Sequence, residues 1–280
     1  MRLVGLVGAF AFATLACFTL SAAHAHDGSK YPDWSGQWRR GPGMPLQWDT
    51  TKPMGRGQEA PLTPEYQAIF EAGLASQREG GQGNDPRYGC LPQGMPRVMS
   101  VLFPMEFLIG PKATHILFEN HYPRRIYTDG RGWPGDEMEP AFVGYSLGTW
   151  IDQDGDGRYD VLEAETRHIR GPRTFEPSGL PLHADNKTVV KERIYLDASN
   201  PNILHNEITT IDNALTRPWT VKQSYLRETR PEIWVDNTCG EFNSHVIIGN
   251  EHYFLSGDRL LMPVRRNQPP PDLRYFNNSR

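Results

Sequence analysis

Residues 187–227 read KTVVKERIYLDASNPNILHNEITTIDNALTRPWTVKQSYLR. Apolar and polar side chains alternate through three runs, Lys187–Leu196, Ile203–Ile211 and Trp219–Arg227, with Asp, Asn, Ser and Pro in the gaps. A period of two marks a half-buried strand, and the gap residues form turns. Toward the N-terminus the pattern recurs in Met105–Ile109, Thr114–Tyr122, Arg124–Asp129, Phe142–Ile151 and Asp160–Ile169. No long helical segment intervenes to make parallel crossovers, so sequential strands predict antiparallel neighbours. The expected fold is mainly β, an antiparallel up-and-down barrel of about eight strands. Closure removes exposed edges and leaves a lumen for side chains or one small ligand.

Upstream of the strands, Thr63 precedes Pro64, and Tyr66, Ile69, Phe70 and Leu74 recur at helical spacing. This predicts a capped helix that stops near Glu79-Gly80-Gly81. Residues 26–57 are rich in Gly, Pro and Trp and predict a wrapping segment whose one ordered element, at Asp33–Trp38, is a short leading strand. Residues 1–25 read as an export signal: Arg2, an apolar stretch from Leu3 to Leu20, then small residues that place the cut after Ala23 or Ala25. The expected organisation is a signal at 1–25, one domain at 26–267 and a loose tail at 268–280. The location is periplasmic or secreted, with no stable membrane insertion once the signal is gone. Cys17 falls in the signal, leaving Cys90 and Cys239, which an oxidising compartment predicts to be bridged.

The 280-residue chain carries a net charge of -4 at pH 7 and no basic run, so nucleic acid is excluded as a partner on electrostatic grounds. Its 27 glycines and 24 prolines fit a chain that turns often.

The sharpest motif spans Asp152 to Glu163 and matches D-x-[DN]-x-[DN]-G-x5-E at every specified position. Asp152, Asp154 and Asp156 would converge on one hard cation while Gly157 makes the bend. Arg158 offers its carbonyl, Asp160 holds a water and Glu163 closes the shell. The flanks alternate like strands, so the expectation is a structural calcium in a strand-loop-strand connection, not a helix-loop-helix sensor.

Three motifs, Cys90-Leu91-Pro92-Gln93-Gly94-Met95-Pro96-Arg97, Arg125-Ile126-Tyr127-Thr128-Asp129-Gly130-Arg131 and Gly144-Tyr145-Ser146-Leu147-Gly148-Thr149-Trp150, carry a resemblance. In this combination the chain resembles a family of uncharacterised exported bacterial proteins, which brings no activity with it. Leu182-His183-Ala184-Asp185, Leu215-Thr216-Arg217-Pro218-Trp219-Thr220 and Cys239-Gly240-Glu241-Phe242-Asn243 extend the resemblance over most of the chain. Relatives have a short W-E-G-D-T-L turn where this chain inserts its acidic loop, which implies that calcium is an addition here. They also have D-P where this chain has Asp212-Asn213. Gly36-Gln37-Trp38 and Thr128-Asp129 are similar to the G-x-W and T-D signatures of lipocalin-type (calycin) barrels, which implies a lipocalin-like, ligand-holding barrel.

Two functions follow. The first is binding of a small, mainly apolar or aromatic molecule in the barrel. Gly144, Ser146 and Gly148 line a small strand face there, leaving space for a ligand or a bulky neighbour, and Arg125 and Glu207 supply polar contacts. The alternative is an acid-base enzyme, a lyase, isomerase or hydrolase, in the same barrel. Asp129 or Glu192 is its candidate base, His183 its acid, and Arg131 or Arg193 its anion anchor. Gly144–Gly148 has the letters of a nucleophile elbow but lies within a strand, which disfavours Ser146 as a nucleophile. A terminal amine with His24 and His26 is a minor copper-ligand candidate.

Overall fold

A computed structural model describes residues 27–41, 47–52, 59–100, 103–135, 137–230, 233–235, 238–242, 244–249 and 251–271. The expected export signal and its cleavage positions, His24 and His26, and residues 272–280 of the expected tail lie outside these.

Nine strands close into a barrel. They are β1 (Gln37–Arg40), β2 (Met105–Ile109), β3 (Ala113–Phe118), β4 (His121–Tyr127), β5 (Tyr145–Ile151), β6 (Val161–Arg167), β7 (Val189–Leu196), β8 (Ile203–Ile211) and β9 (Trp219–Arg227). The expected count of about eight omitted the leading strand, which closes the wall: Trp38 pairs with Met105 on one side and with Arg227 on the other. The all-antiparallel expectation is also corrected, because β4 and β5 run parallel, with Ile126 opposite Ser146 and Tyr127 opposite Leu147. The connection 128–144 is long enough to carry the chain back to the starting end of the barrel without a helix, which is all a parallel crossover requires.

Helix α1 (Pro64–Arg78) starts where the sequence places it. The Thr63 hydroxyl accepts from the Tyr66 N–H at 3.4 Å, Pro64 takes the first turn, and Phe70 and Gly73 form its buried face. After the barrel, a single turn α2 (Cys239–Phe242) leads into a separate sheet of β10 (His245–Ile248), β11 (Glu251–Leu255) and β12 (Leu261–Pro263). Cys239 is disulfide-bonded to Cys90, tying this C-terminal unit to the connection between β1 and β2. Gln268 and Pro269 are fastened to the same unit: the Gln268 amide donates to the His252 carbonyl at 2.6 Å and the Tyr253 hydroxyl to the Pro269 carbonyl at 2.9 Å. No helix among the described residues is long and apolar enough to cross a membrane.

Aromatic side chains close both ends of the lumen. At the end carrying the acidic loop, Trp34 packs on Trp150 at 4.9 Å and on Phe107 at 5.2 Å, and Tyr31 meets Trp150 edge-on. At the other end Phe175 lies between Trp48 and Trp219, with ring centroids 5.4 and 5.1 Å away.

Between the plugs the interior holds an ion pair. Arg124 of β4 donates through Nη1 to Glu192 Oε1 of β7 at 2.9 Å and through Nη2 to Oε2. Its Nη2 also donates to Thr166 Oγ1 of β6 at 2.9 Å, and Ser146 Oγ of β5 lies 3.3 Å from Nε and Nη2. The Asn206 amide of β8 completes the ring, donating to Glu192 Oε1 at 2.9 Å. All five residues are buried.

Removing one member of such a pair strands the other charge, so Arg124→Met should lower unfolding free energy in urea by about 3–5 kcal/mol. Adding Glu192→Leu should return most of that loss; a double variant as unstable as the single one would show that the stranded carboxylate is not its cause.

Candidate functional site

The inward face of β5 is the small one, as the sequence suggested, and its space is already taken. Ser146 receives the Arg124 guanidinium, and a Cβ on Gly148 would lie 2.6 Å from Ile126 Cγ2. Gly144 has a φ of +67°, left-handed backbone that glycine permits, at the entry to the strand. Arg125 is on the outward face and exposed; the inward residue is its neighbour Arg124. Glu207 also faces outward, accepting from the Tyr195 hydroxyl at 2.6 Å. The barrel interior is therefore packed, with apolar side chains such as Ile116, Leu162, Ile194 and Ile208 around the buried Arg124–Glu192 network, rather than a chamber.

Of the four candidate catalytic residues only Asp129 and Arg131 come together. Arg131 donates to Asp129 through Nε at 2.8 Å and Nη2 at 2.7 Å, and this hydrogen bonding holds the exposed Asp129 carboxyl down at about 2, a poor base. His183 lies against the Tyr66 ring at 5.2 Å, with its Nδ1 3.1 Å from the Asp185 N–H and its own N–H donating to Asp212. Glu192 is committed to Arg124 and Asn206 in the interior.

The acidic loop joins β5 to β6, the strand-loop-strand form its flanks predicted. The Asp152, Asp154 and Asp156 carboxylates converge, their nearest oxygens within 4.8 Å of one another. The Gly155 and Gly157 N–H groups donate to the two Asp152 oxygens at 2.7 and 2.9 Å, both glycines having positive φ. The Arg158 N–H donates to Asp156 at 2.8 Å. Asp160 and Glu163 stand apart from the trio: Asp160 accepts from the Gln153 N–H, and Glu163, on the outward face of β6, faces Arg193 at 3.7 Å.

Both described cavities lie outside the barrel wall. The smaller, about 670 Å³, crosses the outward face of β5 to β8 among paired charges such as Glu163 and Arg193. The larger, about 1200 Å³, opens beside the barrel end opposite the acidic loop. Its walls are the β3–β4 hairpin (Leu117 to Pro123), Glu106 of β2, the segment from Asp85 to Gln93, and the C-terminal unit at Trp234, Cys239 and His245. The disulfide thus holds two walls together.

At the back of this groove one charged pair is matched. Arg97, the arginine of the cysteine-proline motif, makes a two-pronged pair with Asp85 at 2.8 and 3.0 Å and reaches Thr174. The Gln93 amide, oriented to satisfy both contacts, accepts from Arg87 Nε and Nη1 at 2.9 Å. His121 sits beside them with Nε2 buried and unpartnered among the described residues. Burial, then the charges of Arg87 and Arg97, push its imidazole down to about 4, so it is neutral at pH 7. On the C-terminal side His245 Nδ1 meets His252 Nε2 at 2.5 Å, and burial lowers both rings.

Leu91, Gln93 and Arg97 fall in the cysteine-proline motif and Cys239 and Glu241 in the last motif, but none of the groove residues apart from the two cysteines was assigned a role from the sequence. They come from separated segments, and His121 at the start of β4 gave no local signal.

Comparison of the chain with protein-family models, with curated proteins and with solved structures gives no match in any of the three.

Because His121 titrates near 4 folded and near 6.5 unfolded, the unfolded chain binds more protons between those values. Stability should fall as pH drops below 6.5 and level off below 4, a loss of about 3 kcal/mol from this group. Urea denaturation of the wild type against His121→Gln across that range checks it; parallel curves would remove the assignment.

Proposed function

We propose that this is an exported, periplasmic or secreted protein that binds a small, mainly apolar or aromatic molecule in the groove beside the barrel. The observation that carries the reading is the cavity of about 1200 Å³, where Leu91, Leu117, Phe118, Tyr122 and Pro123 share the walls with charged and polar side chains and a histidine of strongly lowered pKa. Concave sites that join apolar walls to convergent polar groups and a perturbed titratable residue are where ligands bind. The lumen is the weaker candidate because Arg124, Glu192 and the two aromatic plugs fill it. Binding is favoured over the acid-base alternative because Asp129, His183 and Glu192 each have other partners. Export accords with the leader sequence and with a disulfide, which oxidising compartments preserve. The resemblance to exported bacterial proteins points the same way.

The binding test uses N-phenyl-1-naphthylamine, an uncharged aromatic fluorophore whose emission rises in apolar surroundings. Saturable enhancement is expected, weakened at least fivefold by Leu117→Glu with Tyr122→Ala at unchanged thermal midpoint. Tyr122 is 60% exposed, so its loss should not unfold the chain. Undiminished binding by this variant would place the ligand elsewhere.

We also propose that the Asp152, Asp154 and Asp156 loop holds calcium in a structural role. Three convergent carboxylates are the hard oxygen donors such an ion takes, and their mutual repulsion is relieved by it. Chelation should lower the thermal midpoint of the wild type and leave Asp154→Ala unaffected. An unchanged wild-type midpoint would end the proposal.

A further inference from the structure

The charge distribution of the groove selects among aromatic ligands, and this step rests on the groove being the binding site. Four carboxylates line it, Asp85, Glu106, Glu119 and Glu241, against the single guanidinium of Arg87. Asp85 is neutralised by Arg97 behind it. Glu106 accepts one hydrogen bond from the uncharged Gln37 amide at 3.1 Å, which leaves its charge in place. Among the described residues no cationic group pairs with Glu106, Glu119 or Glu241; Arg87 is held by the uncharged Gln93 oxygen and keeps its charge, so three carboxylates stand against one guanidinium and the groove stays net negative. His121 and His245 are both pushed toward the neutral form and add no positive charge at pH 7.

Four aromatic rings share the same walls: Tyr88, Phe118, Tyr122 and Trp234. Ring faces carry negative potential and attract a cation brought near them, more strongly where water is excluded. Unmatched carboxylates beside aromatic faces therefore complement a positive charge on an apolar body and repel an anion. A neutral aromatic would fill the volume but leave the three carboxylates unanswered.

We propose that the ligand is a small organic cation, an ammonium group borne on an aromatic or apolar body. The ammonium lies toward Glu106, Glu119 and Glu241, and the body packs against Leu117 and Tyr122.

The test is calorimetric titration at low salt with three probes of one shape: 2-phenylethylamine, 2-phenylethanol and phenylacetate. The amine should bind at least tenfold more tightly than the alcohol, the carboxylate should be weakest, and the preference should shrink with added salt. In Glu106→Gln/Glu119→Gln/Glu241→Gln the amine should fall to within about twofold of the alcohol, whose affinity stays unchanged. Equal binding of amine and alcohol by the wild type would overturn the cation assignment while leaving the groove as an aromatic site. A preference that survives the triple substitution would overturn the role of these carboxylates. Failure of all three probes, together with no N-phenyl-1-naphthylamine response, would overturn the groove itself.

Discussion

The Arg124–Glu192 pair is the interaction on which the rest of the barrel depends. Two charges withdrawn from water cost several kcal/mol each even after relaxation, and their attraction offsets this only when the remaining donors and acceptors are satisfied. Here Ser146, Thr166 and Asn206 do so, and with the pair they draw one residue from each of five consecutive wall strands, β4 to β8. A shift of one residue in any of these strands would turn its contribution to solvent and leave a buried charge short of partners. Apolar neighbours would tolerate such a slip better than this ring does. The polar ring thus specifies register, and the aromatic plugs at the two ends supply the burial that keeps water out.

That arrangement explains how much of the fold the sequence revealed. Met105–Ile109, Ile203–Ile211 and Trp219–Arg227 have the bounds that alternation predicts, because each sits between an apolar interior and solvent. Pairing was less legible. A crossover without a helix leaves no periodic signature, so the stretch 128–144 hid the parallel contact between β4 and β5. Facing was ambiguous too. In Pro123-Arg124-Arg125-Ile126-Tyr127 both alternating sets carry an arginine, and choosing Arg125 missed the interior by one position. The small face at Ser146 and Gly148 was correctly seen as leaving space, but only three-dimensional packing shows that Arg124 and Ile126 occupy it.

The groove was illegible for a different reason. Its walls come from β2, the β3–β4 hairpin, the connection between β1 and β2 and the C-terminal unit, the last two joined by the Cys90–Cys239 bond. Each contributes residues that are ordinary where they stand: a glutamate on a strand, a tyrosine at a turn, a tryptophan between loops. Their joint character arises only once the disulfide fixes the C-terminal segment opposite the hairpin. Sequence patterns report one element's relation to water, whereas a site between elements has no period to detect.

The acidic loop and the buried pair belong to one mechanical argument although they sit apart. The loop closes the hairpin of β5 and β6, whose facing residues Ser146 and Thr166 both touch Arg124 and lie 2.8 Å from each other. Hairpin register is fixed by its turn, and this turn is held by the Gly155 and Gly157 N–H groups on the Asp152 carboxylate and by the Gln153 N–H on Asp160. Repulsion among Asp152, Asp154 and Asp156 works against that closure. A cation at the trio would favour the closed turn, and the closed turn keeps two hydroxyls aimed inward at the guanidinium. The loop thus acts on the register of the wall and lies at the barrel end opposite the groove.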